Sequence, residues 1–151
     1  MYRQKKSALQ KATDLLANQE QSSKILRRKL LARKYDAAEV DEAIDKLTRY
    51  NYIDDAEACQ RQFENFYADE KLSVRQIIFK LVQRGFDQNF IERLIPDDAD
   101  EHDLHVAEKL LAKKFPAEKI FDRTKAWQFL SARGFSREII SSAAQNFTSE
   151  N

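Results

Sequence analysis

The sequence has very little of what makes turns and sheets. It holds two glycines and two prolines in 151 residues, too few for the tight turns of a hairpin-rich β fold, and no segment alternates strictly between apolar and polar. A single cysteine, Cys59, excludes an internal disulfide and suits a reducing, cytoplasmic compartment. No apolar run is long enough to span a bilayer, so no membrane is expected. The basic start MYRQKKSALQ lacks the apolar stretch a secretory signal needs. The two glycines lie 49 positions apart, so no glycine-rich loop can bring backbone N–H groups around a phosphate.

What is abundant is Ala, Leu, Lys, Glu, Gln and Arg, the good helix formers. The expected fold is all-α. The chain is organised around Ser73–Ile95, which reads as two helices joined at Arg84-Gly85-Phe86. Ile77, Ile78, Leu81 and Val82 form the apolar stripe of the first, and Phe90, Ile91, Leu94 and Ile95 that of the second. Ser73 and Asp87 are N-cap candidates, whose oxygens accept from orphan backbone N–H groups. Gly85 stops the first helix in the left-handed conformation, and Pro96 stops the second.

This pattern occurs three times. The aromatic residues Tyr35, Phe86 and Phe135 stand 51 and 49 positions apart. Five before them lie Leu30, Leu81 and Leu130, and five after lie Val40, Ile91 and Ile140. Two before lie Arg33, Arg84 and Arg133, and thirteen before lie Ser22, Ser73 and Asp122. Core, cap and turn columns agreeing at one period mean an internal repeat, long enough for three helices per unit. The expected division is three tandem three-helix repeats: residues 1–50, 51–96 and 97–151. Each has few apolar side chains, so neighbouring units are expected to depend on stacking.

In unit one, helices are expected over Ala8–Asn18, about Ser23–Arg33, and from an Asp36 cap through Leu47, after a frayed lead at 1–7. In unit two, Asp54 and Glu57 form a capping-box pattern. The following helix buries Ala56, Cys59, Phe63 and one of Phe66 or Tyr67, and Asn51 fills a left-handed stop. Residues 96–101 read as an acidic linker, with unit three starting near Asp103. Phe115-Pro116 breaks its first helix, Thr124–Ala132 forms the second with Trp127 in the core, and the last carries Ile139, Ile140, Ala143, Ala144 and Phe147.

Catalytic patterns are sparse, and no enzyme or cofactor site is expected. Cys59 falls on the apolar face of its helix, which favours burial over nucleophilic use. His102 and His105 could ligate a metal with Asp98 or Asp100, but no third strong ligand converges, and solvated helix-start residues are the better reading. Asp54-Asp55 resembles a carboxylate pair, and capping accounts for it.

Charge is more informative. The net is +1, yet residues 1–50 hold 12 Lys and Arg against 7 Asp and Glu, while residues 51–151 hold 14 against 18. Lys24, Arg27, Arg28, Lys29, Arg33 and Lys34 cluster on and just after one helix. Such a side can meet phosphates or an acidic protein surface. The alternative is ordinary solvation, with salt bridges to Asp36 or Glu39. Arg33, Arg84 and Arg133 can also serve the last carbonyls of their helices.

Tyr52-Ile53-Asp54-Asp55 resembles the Gly-Tyr-Leu-Asp-Asp signature of the RecX family of recombinase regulators. Arg75-Gln76-Ile77 through Lys80-Leu81 to Arg84-Gly85-Phe86 resembles that family's basic-x-Ile…Leu…Lys-Gly-Ile/Val segment. Leu130 through Arg133-Gly134-Phe135 resembles its third-repeat Leu-x-x-Arg-Gly-Phe/Tyr. Asn51 stands where the family usually has Gly, and Asp69-Glu70-Lys71-Leu72 replaces its Lys-Gly-Tyr-Gly. The resemblance implies tandem three-helix repeats in a curved, elongated, monomeric molecule. It implies binding to the RecA–DNA filament and inhibition of strand exchange, ATP hydrolysis and coprotease activity, hence a part in DNA repair. A direct reader of single- or double-stranded DNA, of helix-turn-helix type, is the rival reading.

Overall fold

The computed structural model describes residues 4–150, which form nine α-helices and no strand. Unit one comprises α1 (Ala8–Asn18), α2 (Ser23–Ala32) and α3 (Ala37–Arg49). Unit two comprises α4 (Asp55–Asp69), α5 (Val74–Gln83) and α6 (Gln88–Arg93), and unit three α7 (Ala99–Lys114), α8 (Arg123–Ala132) and α9 (Arg137–Ser149). Residues 1–3 and 151 lie outside the described part, so the expected frayed lead is testable only over 4–7. That stretch is tied down. The Tyr35 hydroxyl donates to the Lys6 carbonyl at 2.8 Å, Lys6 pairs with Asp14, and Lys5 lies over the Tyr35 ring.

The caps follow the sequence. Ser7, Ser22, Ser73, Asp87, Asp122 and Ser136 each accept from the backbone N–H three residues on, and Ser7 with Gln10 completes a capping box. Asp54 accepts from Glu57 in the same way, whereas Asp36 stands at its N-cap without a side-chain bond. Four helices, α2, α3, α5 and α8, stop in Schellman motifs. Phe86 N–H reaches Leu81 O and Gly85 N–H reaches Val82 O, with Gly85 at φ 89°. The same pair of bonds recurs at Tyr35 and Lys34 and at Phe135 and Gly134, with φ 67° at Lys34 and 83° at Gly134. Asn51 ends α3 likewise, at φ 61°.

Each unit has its own core, the first completed by Ile53 from the link to the second. Leu26, Leu30, Val40 and Leu47 anchor the first, Cys59, Phe63, Ile77, Leu81 and Ile91 the second, and Val106, Leu111, Leu130 and Ile140 the third. Burying one such Leu or Ile contributes about 1.5–3 kcal/mol. Several inward assignments differ from the expectation. Ala58 rather than Ala56 is buried on α4, Val82 is 39% exposed, and Ala126 takes the core place expected for Trp127, which is 38% exposed. Helix α7 starts at Ala99, so half of the expected acidic linker is its first turn, where the Asp100 and Glu101 carboxylates suit the dipole.

The three cores share no residue. Neighbouring units meet at a joint with a polar framework, built twice from equivalent parts. In the first, the Ser22 hydroxyl donates to the Arg84 carbonyl at 2.6 Å, and Asp55 accepts from Ser23 N–H at 2.9 Å and from its hydroxyl. Glu20 holds Arg61 and Gln62. In the second, the Ser73 hydroxyl donates to the Arg133 carbonyl at 2.6 Å, Asp103 accepts from Val74 N–H at 3.0 Å, and Glu70 holds His105 and Lys109. Each serine is an N-cap for its own helix and a donor to the last carbonyl of the next unit's second helix.

Candidate functional site

The basic cluster of α2 divides by neighbour. Lys24 and Arg28, one helical turn apart, are exposed with no acidic partner among the described residues. Arg27 turns the other way and pairs with Asp41 of α3 at 2.7 Å, a hydrogen bond that raises its pKa further. The salt bridge thus forms with Asp41, not with Asp36 or Glu39; Glu39 instead accepts from Ala8 N–H at the start of α1. Arg33 bends back to the Lys29 carbonyl at 3.0 Å, the expected helix-end role. Lys34 is exposed at its left-handed turn, and Lys29 is half-buried beside Arg28.

The three turn arginines are not equivalent. Arg133 bends back to Phe129 O at 3.1 Å, as Arg33 does to Lys29 O. Arg84 does not. Its Nη1 donates to Gln62 Oε1 at 2.7 Å and its guanidinium lies over Phe66, 4.9 Å from the ring centroid. That orientation brings Arg84 to a groove it shares with Arg28 and Lys29. Composition by unit hides this, because the cations come from two repeats that only the joint brings together.

Helix α3 presents the opposite charge. Glu39, Asp41, Glu42 and Asp45 are all exposed on it. In a three-helix DNA reader the third helix enters the major groove, and here that helix would bring carboxylates to phosphates.

The remaining candidates resolve without catalysis. Cys59 is fully buried and its thiol is pushed up to about 11 by burial, so it is a poor nucleophile. His102 is not a solvated helix-start residue. Its side chain is 6% exposed, its ring stacks on Tyr67 at 3.9 Å between centroids, and its Nε2 lies 3.0 Å from the Tyr67 carbonyl. His105 faces Glu70 instead, and among the described residues no three His, Cys, Asp or Glu side chains gather to hold a metal. Asp54 and Asp55 split their work: Asp54 caps α4, and Asp55 caps α2 of the unit before. Burial raises the pKa of Asp103, its counterpart at the second joint, while its bonds to Val74 and His102 oppose the rise. No described helix is long and apolar enough to cross a membrane.

The family model described as the first three-helix domain of RecX matches residues 8–47, which span α1 and α2 and most of α3. The regulatory protein RecX of Neisseria gonorrhoeae is 29% identical over 151 residues, covering 97% of this chain and 94% of that one. That of Chlorobium phaeobacteroides is 29% identical over 139 residues, covering 89% of each. Over nearly its whole length the chain is thus similar to RecX regulatory proteins. The crystal structure of RecX from Lactobacillus salivarius superposes with a TM-score of 0.76 at 22% identity, over 92% of this chain and 93% of that one. At that identity the likeness speaks for the fold, the all-helical architecture found here. Two departures from RecX family patterns have conformational answers. Asn51 adopts the left-handed turn of the usual Gly, and Glu70 in the variant loop does so at φ 54°.

Proposed function

We propose that this protein binds RecA–DNA filaments and suppresses their activity, with the outer side of α2 facing the filament. The observation that carries the reading is the unpaired, exposed pair Lys24 and Arg28, joined by Lys29 and Lys34, on a chain similar to regulatory proteins. A filament coated on nucleic acid is polyanionic, and cations that spend no charge on neighbours are the ones available to it. The acidic outer face of α3 weighs against the rival reading, a helix-turn-helix reader of bare DNA. The units, taken as residues 1–50, 51–96 and 97–151, offer extended surface to a helical assembly without an active site.

The test is a combined variant, Lys24→Gln, Arg28→Gln, Lys29→Gln and Lys34→Gln. Its fold is expected to survive, because three of the four side chains are exposed and the fourth only half-buried. Filament binding and the suppression of DNA-dependent ATP hydrolysis are expected to fall together, with a shallower salt dependence. A folded variant that suppresses like wild type would place the contact elsewhere.

A further inference from the structure

The groove at the first joint has an open volume of about 420 Å³, within the range of sites that hold one small ligand group. Its cations come from both sides: Arg28 and Lys29 from α2, and Arg84, 56 positions further on, from the end of α5. Gln62 and Gln83 add amides. Arg84 is held at this groove from two directions, by Gln62 at 2.7 Å and by the face of Phe66. The Glu20 carboxylate at one end is already engaged by Arg61 and Gln62.

We propose that this groove is a clamp for backbone phosphates of a single nucleic-acid strand, complete only when units one and two are docked; it rests on the filament-binding reading above. Guanidinium groups on facing walls suit phosphate oxygens, which they bind through paired N–H donors. An acidic peptide is the weaker fit. A protein partner of that kind gains most from an apolar anchor in a pocket, and here Ile25 is half-buried and Phe86 is already packed in its own core.

The second joint makes an internal control. Its equivalents of Arg28, Lys29 and Arg84 are Phe79, Lys80 and Arg133. Arg133 is turned onto its own helix, bonded to Phe129 O and lying 3.7 Å over the Phe129 ring. One joint carries the clamp and the other lacks it, although both use the same serine-to-carbonyl bond. Arg84 serves both roles at the first joint. Its carbonyl is fixed by the buried Ser22 hydroxyl, while its guanidinium is bonded to Gln62, which lines the groove with it. A ligand held across the groove therefore also holds the angle between units one and two.

The experiment uses the full chain and a fluorescent oligothymidylate, with anisotropy read over a range of salt. Wild type is expected to bind this bare strand more weakly than a filament. Arg84→Gln is expected to flatten the salt slope by about 0.7, the value for one single-strand phosphate contact. Ser22→Ala, buried and uncharged, is expected to weaken binding severalfold, while Ser73→Ala leaves it unchanged at similar loss of thermal stability. No oligonucleotide binding by wild type, or wild-type binding by Arg84→Gln, would overturn the clamp. So would equal effects of the two serine variants, or displacement of the strand by a polyglutamate peptide at equal charge concentration. Should Ser22→Ala fail to fold, Arg84→Gln decides alone. Filaments suppressed equally by wild type and Arg84→Gln would remove the clamp and leave the filament reading. A strand bound through Arg84, with no binding to filaments, would do the reverse.

Discussion

Gly85 lies so close to Ser22 that a Cβ on it would collide with the serine hydroxyl and come within 3.0 Å of Ile25 Cγ1. Gly134 repeats the relationship one unit on, where a Cβ would lie 3.1 Å from the Ser73 hydroxyl. Lys34 makes the same left-handed turn, at φ 67°, and no serine of an earlier described unit stands against it. Glycine is thus required at both joints for its backbone angle, and at Gly85 for the space as well.

Gly85→Ala is therefore expected to destabilise by more than the 1–2 kcal/mol that a left-handed residue alone costs. Lys34→Gly, which relieves the angle at the cost of about 0.5–1 kcal/mol of chain entropy, is expected to be neutral or to stabilise by up to about 1 kcal/mol. Urea midpoints of the two variants check this, and a Gly85→Ala loss no larger than the left-handed cost alone, about 1–2 kcal/mol, would show that the neighbouring serine plays no part.

The joint serines should differ from their counterpart in unit three. Ser73→Ala removes a cap and leaves the part-buried Arg133 carbonyl without this donor, an expected loss of about 1–3 kcal/mol from the two together. Asp122 caps α8 and no described unit follows it, so Asp122→Ala is expected to cost only the cap, about 1 kcal/mol. Chemical denaturation of both variants provides the comparison.

Asp103 supplies a pH signature for the second joint. Burial raises its pKa above the ordinary 3.8, so between those values the native state holds a proton that the unfolded chain has released. Its contribution to stability is complete below pH 3.8 and is lost as pH rises through the raised native pKa. Asp103→Asn keeps an oxygen for Val74 N–H and is expected to abolish that decline, seen as the difference between the two stability–pH curves in mildly acidic solution. A difference of the opposite sign would mean that the carboxylate is favoured, not penalised, at the joint.

Cys59 gives the alkaline counterpart. With the thiol raised from 9.0 to about 11 by burial, the native state keeps its proton where the unfolded chain loses it. Stability is expected to fall across pH 9.0 to about 11 more steeply in the wild type than in Cys59→Ala. Alkylation of the native protein near pH 8 is expected to be slow and to quicken with denaturant. Rapid alkylation of the folded protein would show that the thiol is not enclosed.

The helices, their caps and their stops were legible because they follow from local chemistry. Ser22, Ser73 and Asp122 announce helix starts, and Gly85 and Gly134 announce stops, from a few neighbouring residues. The joints were not legible. Ser22 meeting Arg84, and Asp55 meeting Ser23, are contacts between residues 62 and 32 positions apart, and each residue already had a sufficient local reason to be there. The Asp54-Asp55 pair shows the difficulty: capping α4 explained both carboxylates, yet only one does it. His102 was misplaced for a related reason, since a run of aspartates reads as a linker unless the helix is known to begin at Ala99. Of the basic cluster, helical geometry placed Lys24 and Arg28 on an open side. It did not separate Arg27, whose partner Asp41 lies on another helix, nor bring in Arg84 from the next unit.

The central claim is that this chain engages a recombinase filament rather than bare DNA. The direct measurement is the binding of the purified protein, at fixed salt, to RecA filaments assembled on single-stranded DNA, beside the same DNA without recombinase, with ATP hydrolysis followed in the filament samples. The account predicts tighter binding to the filament, weakening as salt rises, with hydrolysis suppressed over the same range of protein concentration. Equal or tighter binding to the bare strand, with hydrolysis untouched, would contradict it.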